Sequence, residues 1–224
     1  VEWKDNQQHG TYEEYWPNGK VQRKGQFLKG KDSGIWITFN EKGEKLGEFT
    51  YEEEFRKDGS LYKRIELKNG VKTGLLETYD ELGFLEKKEF LVNGDRHVAF
   101  QEFWSNGKIK RTGQAKNGKR AGVWETFSEL GSLLKKENWF NDNLHGEFRE
   151  YWANNKIKRK GHLVNGRKTG YWQRFSDEGI LLEKEEWADN ELNGIYEKYQ
   201  SDGTILKKGQ FKNGEKIGIW LKFD

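Results

Sequence analysis

Cysteine and methionine are absent from these 224 residues, histidine occurs four times, and no apolar run approaches the roughly 20 residues of a membrane-spanning helix. Without cysteine there is no disulfide framework, thiol nucleophile or thiolate metal site, and the redox compartment stays open. Serine is scarce and never sits in a nucleophile-elbow frame, so neither an enzyme nor a cofactor is expected. Like charges do not cluster either. The longest acidic run is Glu52-Glu53-Glu54, and 40 basic against 37 acidic residues leave a net charge of +3, which does not predict a nucleic-acid protein. Hydrophobic residues make up 33%, too few for a deep two-layer core, while 15% aromatics are too many for a disordered chain. The composition fits a thin sheet in which each segment touches only its neighbours.

What is present is a repeat. Glycine recurs at one constant interval, at Gly122, Gly146, Gly170, Gly194 and Gly218, and the frame extends back through Val98, Gly74 and Thr50 to Gly34 and Gly10. The unit from 34 to 49 is shorter than the others by a third, so its second turn is missing and its strand must continue or cross over. Counting from each anchor, position five is always aromatic: Tyr15, Phe39, Phe55, Tyr79, Phe103, Phe127, Tyr151, Phe175, Tyr199 and Phe223. Position nine is glycine, with Asn155 as the exception, and pairs such as Asn18-Gly19, Asp58-Gly59 and Asn106-Gly107 indicate tight hairpin turns there. A second turn follows at Lys29-Gly30, Asn69-Gly70, Asn93-Gly94, Asn117-Gly118, Asn165-Gly166 and Asn213-Gly214. Tails alternate between the Lys108–Gln114 and the Leu133–Trp139 kinds, so the deeper period is two units, as from Gly122 to Gly170. The opening Val1-Glu2-Trp3-Lys4 repeats the spacing of Trp139 to Gly146, and the chain is expected to begin inside a repeat.

Turns this frequent leave no window for an amphipathic helix. The expected fold is all-β: a single domain over 1–224, an elongated, twisted array of antiparallel hairpins with about ten units. A two-residue turn places position three opposite fourteen and four opposite thirteen, matching Glu13, Glu53, Glu77, Glu125 and Glu197 with Lys24, Arg64, Lys88, Lys136 and Lys208. Position two, usually aromatic, falls opposite Gly25, Gly113, Gly161 and Gly209 and is expected to cover that glycine from within its own unit. Positions two and five differ by three, so either a bulge intervenes or both faces carry aromatics; two faces are preferred, the more buried holding positions two, eleven and seventeen (Trp124, Leu133, Trp139).

The run Gly146-Glu147-Phe148-Arg149-Glu150-Tyr151, its counterpart Gly194–Tyr199 and the intervening Asn-Gly turns resemble the bacterial variant of the MORN repeat over essentially the whole chain. That resemblance, shared with antitoxin components of the YwqK type and with secreted repeat proteins, implies an interaction scaffold and no catalytic motif. It favours a secreted or cell-surface location.

Histidine offers no metal site: His9, His97 and His145 precede anchors, and the two units between His97 and His145 amount to four strands, about 19 Å. The lysines and arginines of positions thirteen and fourteen, among them Arg23, Lys136 and Arg159, read as a ladder neutralised by facing glutamates. The binding candidates are the position-five aromatics from Tyr15 to Tyr199, which packing between hairpins would equally explain, and Glu52, Glu53 and Glu54 beside the short unit. The expected partner of this monomer is another protein, as for an adhesin or an antitoxin. Glycan or cell-wall binding through exposed aromatics and anionic-lipid binding through the basic column are the alternatives.

Overall fold

The computed structural model describes residues 2–92 and 95–223, with the side chains of 95–98 outside that description; the expected turn at Asn93-Gly94, and the surroundings of His97 and Val98, therefore lie outside it. The fold is all-β, nineteen antiparallel strands without a helix among the described residues. The chain forms two compact units, Val1–His97 and Val98–Asp224.

The first unit is a meander of β1 (Glu2–Lys4), β2 (Gln7–Tyr15), β3 (Val21–Leu28), β4 (Lys31–Phe39), β5 (Lys45–Phe55), β6 (Leu61–Lys68), β7 (Val71–Tyr79) and β8 (Leu85–Val92). The second runs from within β9 (Asp95–Phe103) through β10 (Ile109–Lys116), β11 (Lys119–Phe127), β12 (Leu133–Phe140), β13 (Asn143–Tyr151), β14 (Ile157–Val164), β15 (Arg167–Phe175), β16 (Leu181–Ala188), β17 (Glu191–Tyr199) and β18 (Ile205–Lys212) to β19 (Glu215–Lys222).

The charge ladder is in the expected register, with Glu13↔Lys24, Glu53↔Arg64, Glu125↔Lys136 and Glu150↔Arg159 paired across their hairpins. The turn that sets it is longer than two residues. Trp16 N–H donates to Lys20 O and Gly19 N–H to Trp16 O, closing a loop over 16–20. A bulge then opposes Tyr15 to Val21 but Glu14 to Arg23, so loop and bulge together reproduce the register of the shorter turn. The two-residue turns are the other set: Asn117 and Gly118 have φ of 52° and 73°, the conformation in which hairpin twist matches strand twist. Asn155 takes φ 63° where other units have glycine.

Each anchor glycine from Gly34 onward belongs to a second bulge. Thr112↔Glu125 and Gln114↔Ala121 leave three residues, 122 to 124, opposite Gly113 alone, and Gly122 turns the chain at φ 66°. The short unit needs no such turn. β5 fuses the second strand of one unit with the first strand of the next, pairing continuously from Phe49↔Lys68 to Glu54↔Lys63, and there Thr50 replaces the anchor glycine.

Losing one strand reverses the direction of every later first strand in this unit, and it also exchanges faces. Phe49 pairs with Trp36 and shares its face; alternation puts Thr50 and Glu52 on the other side, where their partners Leu67 and Ile65 begin a core continued by Leu76 and Leu91. The core of Tyr12, Phe27 and Trp36 thus passes through the sheet at β5.

Candidate functional site

A single sheet has no second layer, so its apolar column must be covered by side chains of neighbouring strands. Trp36 is 0% exposed, and Trp124, Phe148 and Trp172 are buried. The ring that lies on each position-fifteen glycine comes from the following unit, not from its own: Trp36 on Gly25, Trp124 on Gly113, Trp172 on Gly161 and Trp220 on Gly209. The indoles of Trp124 and Trp172 also donate to the carbonyls of Gln114 and His162, at 3.0 and 3.2 Å.

Cations complete the cover. Arg23 lies 3.9 Å from the Trp36 centroid, Arg111 4.8 Å from Trp124 and Arg120 3.5 Å from Trp139, while Lys168 reaches Trp172 at 4.8 Å and Trp187 at 3.9 Å. Desolvation between its two rings lowers the Lys168 pKa. Carboxylates hold other cations: Glu150 accepts from Lys158 and Arg159 at 3.1 Å, and buried Glu137 has Lys135 at 3.3 Å.

Position one, which the sequence did not single out, supplies exposed apolar side chains on the side turned away from the position-two ring of the same repeat: Ile35, Val123, Tyr171 and Ile219. Three open grooves there are one site repeated. Thr11, Lys24, Ile35 and Ile37 line the first, Ala99, Gln114, Val123 and Lys136 the second, and Ile195, Lys208, Ile219 and Leu221 the third. Each has a position-fifteen glycine in its floor. The only sequence signal for them was aliphatic preference at position one of alternate units.

Of the position-five aromatics Tyr15 lines the first groove, and all of them are half-buried or exposed. Each pairs with position eleven, as in Phe127↔Leu133 and Phe175↔Leu181, so Leu133 belongs with Phe127 and not with Trp124 and Trp139. Lys24, Lys160 and Lys208 stand 5.6–5.7 Å from the rings of Phe39, Phe175 and Phe223, while Tyr79 and Tyr199 donate to Glu77 and Glu197 at 2.8 and 2.7 Å. Phe103 and Tyr151 are half-buried and pair with Ile109 and Ile157. In the first unit the column does not form one ladder. Tyr15 and Phe39 face away from Trp36, whereas Phe55 and Tyr79, beyond the crossing at β5, are on the Trp36 side.

Glu52, Glu53 and Glu54 are solvent-exposed but not free, with Lys72 at 2.7 Å, Arg64 at 3.5 Å and Lys63 at 3.0 Å. Beside them Arg23 and Tyr51 converge on the Asp32 carboxylate, Arg64 donates to the Asp32 carbonyl, and its guanidinium stacks 3.8 Å from Tyr51. Burial and the Asp32 hydrogen bond raise the Tyr51 pKa. No group of three metal-ligating side chains occurs among the described residues.

Comparison with known families matches the MORN repeat variant to residues 8–29, 96–117, 144–165 and 192–213, which are units of one kind, the last three evenly spaced at every second repeat. MORN repeats are protein- or membrane-binding modules. No match was found among curated protein sequences. A solved complex described as "Crystal Structure of TcdB2-TccC3-Cdc42" contains a chain 10% identical over 92% of this one, at a TM-score of 0.25, and this chain spans 14% of that chain's length; so low a score carries no argument.

Proposed function

We propose that the chain is a noncatalytic scaffold that binds another protein through its position-one grooves. The observation that carries this reading is the recurrence of exposed aliphatics, Ile35, Val123 and Ile219, in grooves of one construction. Their walls carry a glutamate opposite a lysine in register, Glu13↔Lys24, Glu125↔Lys136 and Glu197↔Lys208, the second pair 2.9 Å apart. An apolar strip with a neutral polar rim suits a protein surface. Anionic lipid or nucleic acid would need free cations, and Arg23, Arg120, Lys136 and Lys158 are held over rings or on carboxylates. An antitoxin-like partner and a surface adhesin would both use such a face.

Cross-linking mass spectrometry in the source cell tests the reading against an Ile35→Asp/Ile219→Asp variant. The expected partner cross-links to the groove lysines Lys24, Lys136 and Lys208 and is lost in the variant at unchanged melting temperature. A partner that persists in the variant, or maps to Lys135 and Lys158 on the tryptophan face, overturns it.

A further inference from the structure

One repeat has its position-one side already covered, and by this chain itself. Phe49 shares the face of Trp36, so alternation along β5 puts Tyr51 and Glu53 there too, and the side that holds Tyr12, Phe27 and Trp36 over β2–β4 becomes the position-one side beyond β5. The start of β4 lies on it. The Asp32 carboxylate accepts from Tyr51 Oη at 2.9 Å and from Arg23, Arg64 donates to the Asp32 carbonyl, and the Lys31 ammonium stands 5.0 Å from the Tyr79 ring.

Counted from the anchor Thr50, the residues Tyr51, Glu53, Arg64 and Glu66 are positions one, three, fourteen and sixteen. Thr11, Glu13, Lys24 and Gln26 hold these positions in the first open groove, and Ile195, Glu197, Lys208 and Gln210 in the third. The Thr50 repeat is the same site, occupied. Burial shows the cover: Arg64 is 9% exposed whereas Lys24 is exposed, and Leu75, at the place of Ile35, is half-buried. Arg64 serves its guest without leaving Glu53, 3.5 Å from its Nε, so the match of Lys24 with Glu13 does not exclude a guest either.

We infer that the open grooves at Lys24 and Lys208 take an extended segment of the partner protein that carries an acidic side chain beside an apolar one. The inference rests on the groove reading and names the partner's chemistry. The lysine donates to a main-chain carbonyl, as Arg64 does, and balances the carboxylate. Gln26 and Gln210 replace the acidic Glu66, and their amides, each both donor and acceptor, suit a peptide backbone. Ile35 and Ile37 receive the apolar neighbour in the first groove.

The probe is a synthetic peptide of residues 28–35 with blocked ends, which contains Lys31-Asp32, and its Asp32→Asn form is the control. Titrated to millimolar concentration into isotope-labelled residues 1–224, the first should shift the amide resonances of Gln26, Ile35 and Gln210. The Asp32→Asn form should bind about tenfold more weakly, having lost a charged hydrogen-bond partner. Lys24→Met should remove the shift at Gln26 and leave that at Gln210. Equal affinity of the two peptides, shifts confined to other faces, or no shifts at all would overturn the inference. Cross-links of a cellular partner to Lys24 do not depend on that carboxylate, so their persistence beside a failed peptide test strikes the acidic segment alone and not the groove reading.

Discussion

The indole of Trp124 lies against the backbone of Gly113, so close that a β-carbon at Gly113 would fall 2.1 Å from the ring's Cδ2. Gly113 does not have a left-handed backbone; it is glycine because the next strand's ring occupies the side-chain space. Where the following ring is smaller the position is not glycine. Glu137 pairs with Phe148 and Glu185 with Tyr196, and this exchange underlies the alternation of the two kinds of unit.

Gly113→Ala should therefore destabilise by about 1–3 kcal/mol through overpacking. Trp124→Phe should relieve part of that cost, giving a coupling of about 1 kcal/mol in a double-mutant cycle read by urea denaturation. Additive effects would mean the contact does not constrain the ring.

Truncating the buried column should cost more than truncating position five. Trp172→Ala is expected to lose about 3–5 kcal/mol, the range for a buried large aromatic, and Phe175→Ala clearly less because its ring is half-buried. Phe223→Ala should cost least, since its ring is exposed. Chemical denaturation midpoints give the order, and an equal loss at Phe175 would make position five part of the core.

The fused strand predicts opposite responses at equivalent anchors. Gly146, at φ 113°, should not accept threonine, because a β-branched side chain there is strained by about 1–3 kcal/mol and meets Asn138. Thr50→Gly should cost only about 1 kcal/mol, the loss of strand propensity. Thermal melts of the two variants distinguish them.

Asp142 caps a turn by accepting the Arg120 N–H at 2.9 Å and its Nε at 3.2 Å, and the backbone bond, followed by the side-chain one, lowers its pKa. A pKa depressed in the folded state stabilises above the ordinary carboxylate value and is lost as pH falls through the folded one. The carboxyl should titrate below the ordinary aspartate value by NMR, and Asp142→Asn should flatten the acid limb of the stability profile. Titration at or above that value would mean the cap is not populated.

The sequence by itself determined the all-β class, the hairpin repeat and the cross-strand register of Glu125 with Lys136. These follow from local chemistry: glycine and asparagine at positive φ fix the turns, and turn spacing fixes which residues meet. Tertiary structure decided what lies beyond a single hairpin. That Gly113 is covered by Trp124 of the next unit, that Leu133 joins Phe127, and that the core changes sides at β5 all depend on bulges and strand direction, which move a side chain between faces without changing its place in the repeat. The position-one grooves were hidden for the same reason, because Ile35 and Val123 look like ordinary strand residues until the fold leaves their face uncovered.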